Sequence, residues 1–258
     1  MTVITSSQNS KIKLVRALLG RAKERREAGA FVVEGVRLVE EAETGGWRFR
    51  FALYDESLGD RGKLLMERLT ARGVEVDEVS QSVMKSLSET ETPQGILAVL
   101  ELNQLPISHP SDFLLIPDQI RDPGNLGTLL RTGAAAGVQA VLLPPETTDA
   151  FAPKVVRSGM GAHFRVPIHS MTWEEIRWQT KDLQVYLADM DGKSYWETDL
   201  RQPLALIIGG EAEGASEEAQ NLATQRISIP MAGDVESLNA GVAGSVLMFE
   251  VLRQRSHV

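Results

Sequence analysis

The spacing of apolar residues in the first hundred positions predicts alternating helices and strands. Ile12, Val15, Leu18 and Leu19 recur at helical spacing, which predicts an amphipathic helix over 9–20. The pattern then predicts strands at 31–35, 49–54, 74–79 and 95–102, and helices from Val36 to the Gly45-Gly46 pair, over 61–71 and from near Ser80. Elements of this length and order are typical of an α/β layer structure.

A second series of the same kind begins after residues 103–111, a Pro- and Ser-containing segment that we interpret as a linker. Its predicted strands are 113–117, 140–144, 164–168, 183–189, 204–210 and 226–230, and its predicted helices cover about 124–136, 152–158 and the stretch from about Ser237 to Arg253. The near-continuous apolar strands favour a parallel sheet covered on both faces. The sequence therefore predicts two α/β domains, 1–102 and 112–258, with ligands beyond the carboxyl ends of the second sheet's strands.

Composition excludes several classes of protein. The chain has no apolar run of about 18 residues and no charged-then-apolar leader, so we expect a cytoplasmic protein. The absence of cysteine excludes a disulfide framework, a thiolate nucleophile and a zinc ribbon. The four histidines are scattered without metal-ligand spacing, and we expect no metal.

Residues 11–26 are basic, although the net charge of the chain is -8. One interpretation is a solvated helical face, and the other is an RNA-facing patch, because phosphate contacts need Lys and Arg. The candidate RNA-contacting residues are Lys11, Lys13, Arg16, Arg21, Arg25 and Arg37.

Three strand-end segments of the second half carry candidate chemistry. In the first, Pro123 and Gly124 form a turn, Asn125 is predicted to cap the next helix, and Arg131 lies one to two turns into it. A capped helix with an exposed arginine would look the same, but Asn-x-Gly-x-x-x-Arg after Asp-Pro-Gly is more specific.

In the second segment, Gly209 and Gly210 would let a ligand approach backbone amides, unless the segment is only a turn. Glu211 and Glu213 would repel a phosphate, so adenosine or a methionine sulfonium fits better than a dinucleotide. The chain also lacks the G-x-G-x-x-G and G-x-x-x-x-G-K-[ST] patterns.

In the third segment, Ser237 is predicted to cap a helix that contains Gly241 and Gly244. Each interior glycine costs about 1 kcal/mol relative to alanine. We therefore expect this backbone to pack tightly against another helix, a cofactor or a threaded loop.

The three segments together resemble the motifs of the SpoU/TrmH branch of the SPOUT methyltransferases. The matching residues are Asn125, Gly127 and Arg131 in the first, Gly209, Glu211 and Gly214 in the second, and Ile229, Pro230, Met231, Gly233, Ser237, Leu238 and Asn239 in the third. Gly210 and Ala212 stand where the second motif often has a polar residue and glycine. FVVEGVRLVEEA and ETPQGILAVLE in the first half resemble the family's ribosomal-protein-like substrate-binding domain.

The resemblance implies an S-adenosylmethionine-dependent transfer of a methyl group to a ribose 2′-OH, in ribosomal RNA more than in transfer RNA. It also implies a deep trefoil knot in the second domain and a homodimer. The implied catalytic residues are Arg131, Asn125, Glu211, Ser237 and Asn239, and the implied cofactor-binding residues are Gly209, Gly210, Gly214, Ile229, Met231 and Leu238. Arg131 would stabilise the developing alkoxide.

The alternatives are methylation of a base nitrogen and an RNA-binding protein without catalysis. The Ser-Leu-Asn motif with Asn125 and Arg131 favours ribose methylation. A Rossmann oxidoreductase is disfavoured by the missing dinucleotide fingerprint.

Overall fold

The computed structural model describes residues 3–90, 92–210, 214–233 and 237–256. The chain divides into two compact units. The first unit consists of the chain up to Asn103 together with a later segment, Phe151–Arg157. The second unit consists of Gln104–Ala150 and the chain from Ser158 onward. Most of the predicted linker packs within the second unit, since Ile107 contacts its core and His169 Nε2 lies 2.7 Å from the Leu105 carbonyl oxygen.

The first unit is a four-stranded mixed sheet with helices. Its strands are β1 (Ala30–Glu34), β2 (Phe49–Tyr54), β3 (Glu75–Glu78) and β4 (Ile96–Glu101), and its helices are α1 (Ser10–Gly20), α2 (Ala22–Ala28), α3 (Val36–Thr44), α4 (Asp60–Ala71) and α5 (Gln81–Leu87). The strand order is β1-β4-β2-β3, with β4 antiparallel to both neighbours and β3 parallel to β2. Ile12, Val15 and Leu18 of α1 bury their side chains in its core, as their helical spacing predicts.

The rest of the chain builds a six-stranded sheet. Its strands are β5 (Phe113–Pro117), β6 (Ala140–Leu143), β7 (Ile168–Ser170), β8 (Gln184–Ser194), β9 (Leu204–Ile208) and β10 (Gln225–Ser228). The helices of this part of the chain are α6 (Pro123–Ala136), α7 (Pro153–Gly159), whose residues 153–157 belong to the first unit, α8 (Trp173–Gln179), α9 (Glu217–Leu222) and α10 (Ala240–Arg255). The order is β10-β8-β9-β5-β6-β7, and each neighbouring pair is parallel. All residues of β5, β6 and β9 are buried. The predicted α/β class and parallel sheet are confirmed, and the knot stays a prediction.

Some short elements differ from the sequence prediction. The strand predicted at 164–168 is wrong, because residues 162–164 form a 3-10 turn and the strand begins at Ile168. Helices α2, α8 and α9 were not predicted. They have only six or seven residues and bury one residue each, Arg25, Ile176 and Ala219, so they show no apolar period.

One irregularity interrupts the pairing of β8 with β10. Leu187 pairs with Arg226, but the next pair is Lys193 with Ile227, so residues 188–192 have no partner on β10. We call this segment the β8 bulge. Gly192 closes it where the strands come so near that an added Cβ would lie 2.5 Å from the Ile227 nitrogen. The Ser228 hydroxyl also donates to the Gly192 carbonyl oxygen at 2.8 Å.

Candidate active site

A cavity of about 950 Å³ lies at the carboxyl edge of the parallel sheet, at the ends of β9 and β10 and at the β8 bulge. Its volume is in the usual range for small-molecule sites, roughly 300–1,000 Å³. The described lining comprises residues 188–190, 208–210, 214–215, 220, 226–231, 237–240, 243 and 247. The second and third candidate segments of the sequence therefore meet in one cavity.

Glycine is required in the second segment by the packing of the loop itself. A Cβ on Gly209 would lie 2.8 Å from the Ala215 nitrogen, and one on Gly210 would lie 2.6 Å from the Gln119 carbonyl oxygen. The Gly210 N–H donates to the Gly214 carbonyl oxygen at 3.1 Å. These glycines are therefore crowded by neighbouring protein backbone, and not by a ligand as the sequence predicts.

Asp118 bonds to both neighbours of Gly209, Gly210, Gly214 and Ala215, the four residues that we call the glycine loop. Its N–H donates to the Ile208 carbonyl oxygen at 2.9 Å, and its Oδ2 accepts from the Ser216 N–H at 2.7 Å. The side chain is fully buried, and burial raises the pKa of this carboxyl although the Ser216 hydrogen bonds oppose the shift. Sequence reasoning missed Asp118, whose one signal was its place directly after β5.

Two asparagines connect the first and third segments. Asn239 Nδ2 donates to Asn125 Oδ1 at 3.0 Å, while Asn239 Oδ1 accepts from the Val242 N–H at 3.2 Å and caps α10. Asp122, not Asn125, caps α6, because its Oδ1 accepts from the Asn125 N–H at 2.9 Å. The predicted caps Asn125 and Ser237 are therefore wrong, since helices α6 and α10 begin at Pro123 and Ala240.

The small residues of α10 pack against α6. A Cβ on Gly244 would overlap the Leu129 side chain, and one on Gly241 would lie 3.3 Å from Thr128 Cβ. The Thr132 and Ser245 hydroxyls are 3.0 Å apart. Of the three partners that the sequence left open, another helix is the one that these glycines contact.

Arg131 is exposed on α6 and stands apart from the cavity of its own chain. It follows Asn125 by six residues, which places it about 240° further round the helix. Among the described residues it has no hydrogen bond or ion pair, and it does not belong to the described cavity lining. Asn125 and Asn239 are thus brought together, and Arg131 is not.

The other candidate residues of the second unit that the structure describes lie at the cavity. Gly209, Gly210, Gly214, Ile229, Met231, Leu238, Ser237 and Asn239 line it. Glu211 lies outside the described residues. Sequence reasoning missed Asp189 and Met190 of the β8 bulge, together with Gln220 and Arg226. The polar end of the predicted strand 183–189 was the available signal for Asp189.

Comparison with known proteins covers both halves of the chain. Residues 112–249 match the SpoU rRNA Methylase family, and residues 9–98 match the MRM3-like substrate binding domain. The chain belongs to the SpoU rRNA methylase family. The resemblance inferred from its motifs is therefore confirmed.

Relatives of this SpoU-family chain match it along nearly its whole length. The 23S rRNA (guanosine(2553)-2'-O)-methyltransferase RlmP of Bacillus subtilis is 33% identical over 97% of this chain and 99% of the relative. A 23S rRNA (uridine(2479)-2'-O)-methyltransferase of Streptomyces viridochromogenes is 32% identical over 97% and 92%. The AdoMet-bound rRNA methyltransferase from Sinorhizobium meliloti superposes with a TM-score of 0.87 at 33% identity, covering 98% of this chain and 97% of that one.

S-adenosylmethionine is the cofactor of this SpoU-family chain. The cavity fits it, because Gly209, Gly210 and Gly214 line one part of it while Ile229, Met231 and Leu238 supply apolar surface.

The basic stretch of the first unit is exposed only in part. Lys13, Arg16, Arg21 and Arg37 are exposed. Arg25 is 3% exposed and its Nη1 donates to the Leu18 carbonyl oxygen at 2.6 Å, so it stabilises the end of α1 and the prediction that it contacts RNA is wrong. The Lys11 ammonium pairs with Glu75 at 2.7 Å and also with Asp77, which neutralise its charge.

Within the described ranges, no helix is both long and apolar enough to cross a bilayer. In the same ranges, no three His, Asp or Glu side chains are grouped so that they could hold a metal ion. His163 belongs to the core, since it is 2% exposed and its Nε2 lies 2.7 Å from the Ala150 carbonyl oxygen. This burial lowers the pKa of its imidazole to about 4.

Proposed function

We propose that this chain transfers a methyl group from S-adenosylmethionine to the ribose 2′-OH of a nucleotide in structured ribosomal RNA. The observation that carries the proposal is the cavity at the carboxyl edge of the sheet, where the glycine loop lies near Ile229, Met231 and Leu238, and where Asn239 bonds to Asn125. The names of the two 23S rRNA relatives support ribose and ribosomal RNA as the target. With ribosomal RNA as its substrate, the protein is proposed to act in the cytoplasm.

The proposal gives the two halves of the chain different functions. We assign RNA binding to residues 1–102, with Lys13, Arg16, Arg21 and Arg37 as exposed candidates for phosphate contacts. Residues 103–111 connect them to the methyltransferase domain, 112–258. The match of residues 9–98 to a substrate binding domain supports this division.

The reaction breaks the bond from sulfur to the methyl carbon and forms the bond from O2′ to that carbon. S-adenosylhomocysteine leaves, and the hydroxyl proton passes to water. Bound S-adenosylmethionine supplies the electrophilic methyl group. The chain must orient the hydroxyl and stabilise the negative charge that develops on its oxygen. Since a guanidinium carries hydrogen-bond donors and no acceptor, Arg131 acts by donating hydrogen bonds to that oxygen. Asn125, Ser237, Asn239 and Glu211 orient the ribose and the guanidinium.

We infer that two copies pair through α6 and α10. Thr128, Arg131 and Ala135 lie along one exposed stripe of α6. On α10, Val242 and Phe249 are 47% and 49% exposed and lie two turns apart. Exposed apolar side chains at helical spacing are typical of a face that packs against a partner. A second copy on this face would enclose Arg131, which would place the reaction beside the subunit contact.

Methyl transfer to ribosomal RNA in vitro tests the assignment of Arg131. Removal of a donor that stabilises developing charge lowers kcat by about 100-fold or more, so we expect that loss in Arg131→Ala with S-adenosylhomocysteine binding retained. Arg177→Ala, an exposed arginine on α8, is the matched control. Near-normal turnover of Arg131→Ala would show that the role given to Arg131 is wrong.

The substrate is tested by mapping 2′-O-methylation in total RNA from cells with and without the gene. One ribosomal site should lose its methyl group. A lost site in transfer RNA, or a methylated base nitrogen found by nucleoside mass spectrometry, would overturn the proposed substrate while leaving methyl transfer in place.

A further inference from the structure

The β8 bulge brings a carboxylate into the wall of the cavity, next to a guanidinium. Asp189 and Arg226 are the charged residues of the described lining. Arg226 Nη1 donates to Asp189 Oδ2 at 3.0 Å. Because residues 188–192 leave the pairing with β10, the bulge places Asp189 at the cavity instead of within the ladder.

Further hydrogen bonds hold this pair in place. Asp189 Oδ1 accepts from the Asp191 N–H at 3.0 Å. Arg226 Nη2 donates to Gln220 Oε1 at 3.3 Å, and Gln220 Nε2 donates to the Ala215 carbonyl oxygen at 2.9 Å. The pair is thereby connected to α9 and to the end of the glycine loop, both of which border the cavity.

The pair is open to a ligand. The Asp189 and Arg226 side chains are 25% and 47% exposed, and ion pairs with that exposure add little to stability. Each group also has hydrogen-bonding capacity beyond the bonds described, because a carboxylate accepts about four and a guanidinium donates five.

The chemistry of the pair selects one part of the cofactor. A positively charged sulfonium or ammonium would be repelled by Arg226, and the methionine carboxylate would be repelled by Asp189. The adenine ring suits the apolar wall of Ile229, Met231 and Leu238. The ribose diol is neutral, and its hydroxyl groups both donate and accept hydrogen bonds. It therefore matches the Asp189–Arg226 pair, which has no net charge and offers a carboxylate acceptor beside a guanidinium donor.

We propose that Asp189 and Arg226 bind the 2′,3′-diol of the cofactor ribose, with Asp189 accepting hydrogen bonds from the hydroxyls and Arg226 donating to their oxygens. This rests on the proposed function, because it takes the cavity to be the S-adenosylmethionine site. It makes the β8 bulge a determinant of cofactor specificity.

Binding calorimetry tests the proposal without the methyl transfer reaction. The probes are S-adenosylhomocysteine, S-adenosylmethionine, 5′-methylthioadenosine and 5′-methylthio-2′-deoxyadenosine. A hydrogen bond to a charged group is typically strong enough to change Kd about tenfold or more. We expect Asp189→Asn to weaken the first three probes by about that factor. We also expect the preference of the wild type for methylthioadenosine over its 2′-deoxy analogue to fall towards one.

The loss of that preference distinguishes binding from a merely structural role. A distorted bulge would weaken both analogues equally and leave their ratio unchanged, which would overturn the proposal. Arg226→Gln should lower the same ratio, so the proposal remains testable if Asp189→Asn does not fold. Asp199→Asn is the control, because it removes an exposed, ion-paired carboxylate that is not part of the described lining.

Other outcomes point to other parts of the ligand. A loss for S-adenosylmethionine alone would assign Asp189 to the sulfonium, and a loss for S-adenosylhomocysteine but not methylthioadenosine would assign it to the amino acid portion; either result overturns the proposal. Failure of the wild type to bind S-adenosylhomocysteine would instead contradict the proposed function itself.

Discussion

At the scale of single residues, Gly210 shows how closely the glycine loop is fitted to the chain beneath it. The nearest atom to an added methyl group is the Gln119 carbonyl oxygen. Gln119 itself has φ 52°, in the region that side chains disfavour, so its backbone has little freedom to move away. A change at Gly210 must therefore displace the loop that lines the cavity.

Gly210→Ala should weaken S-adenosylhomocysteine binding at least tenfold, because the loop can relieve the 2.6 Å contact only by moving. Calorimetry gives the affinity, and a thermal melt separates it from global unfolding. Gly59→Ala is the control, since an added Cβ there meets nothing within 4 Å. Wild-type affinity in Gly210→Ala would mean that the loop does not contact the cofactor.

Single residues were predictable where they belong to a motif. Gly209, Gly210 and Leu238 were named from the sequence and line the cavity. Asp118 and Asp189 were not, because an aspartate after a strand has the same local pattern whether it faces solvent, a loop or a ligand. Their positions depend on contacts with Ser216 and Arg226, each dozens of residues away.

At the scale of elements, the side chain that caps α10 also bonds to α6. Asn239 Oδ1 caps the helix through the Val242 N–H, and Asn239 Nδ2 reaches Asn125 on α6. The same side chain therefore contributes to the stability of α10 and to the relative position of the first and third motifs. The two contributions can be separated by substitution.

Asn239→Ala removes both contributions and should lower the free energy of unfolding by about 1 kcal/mol, the usual loss for an N-cap. Asn239→Asp retains the capping oxygen but replaces the donor to Asn125 by a second acceptor, so stability should remain near that of the wild type. Methyl transfer should fall in both variants. Denaturant unfolding and turnover measured together check this, and full activity in Asn239→Asp would show that the bond to Asn125 is dispensable.

Long elements were predictable from periodicity, and short or irregular ones were not. α1 and α6 and the buried strands β5 and β9 carry enough apolar positions to define a period. The β8 bulge and the caps Asp122 and Asn239 depend on pairing and hydrogen bonds between distant segments. Local sequence does not encode those partners.

At the scale of the whole molecule, the proposed dimer depends on an apolar face of α10. Phe249→Glu places a charge in that face and should shift the protein from dimer to monomer in light scattering coupled to gel filtration. If Arg131 acts beside the subunit contact, the rate of methyl transfer should fall when the dimer dissociates. Trp178→Glu, at a residue that is 63% exposed on α8, should leave the mass unchanged.

A wild-type protein that is monomeric at micromolar concentration would contradict the dimer. An unchanged mass for Phe249→Glu would contradict the face proposed for the dimer.

The dimer and the knot could be predicted from the sequence only through the family resemblance. Apolar periodicity reports which side of a helix is covered, and it is the same whether a neighbouring helix or a second copy covers it.

The β8 bulge also makes the chain convenient for optical work. Met190 borders the cavity and is 71% exposed, and the sequence contains no cysteine. A cysteine in place of Met190 would therefore be the single thiol of the protein, available for one environment-sensitive dye at the rim of the cavity. Cofactor occupancy could then be followed by fluorescence in real time, without RNA and without a radioactive methyl group.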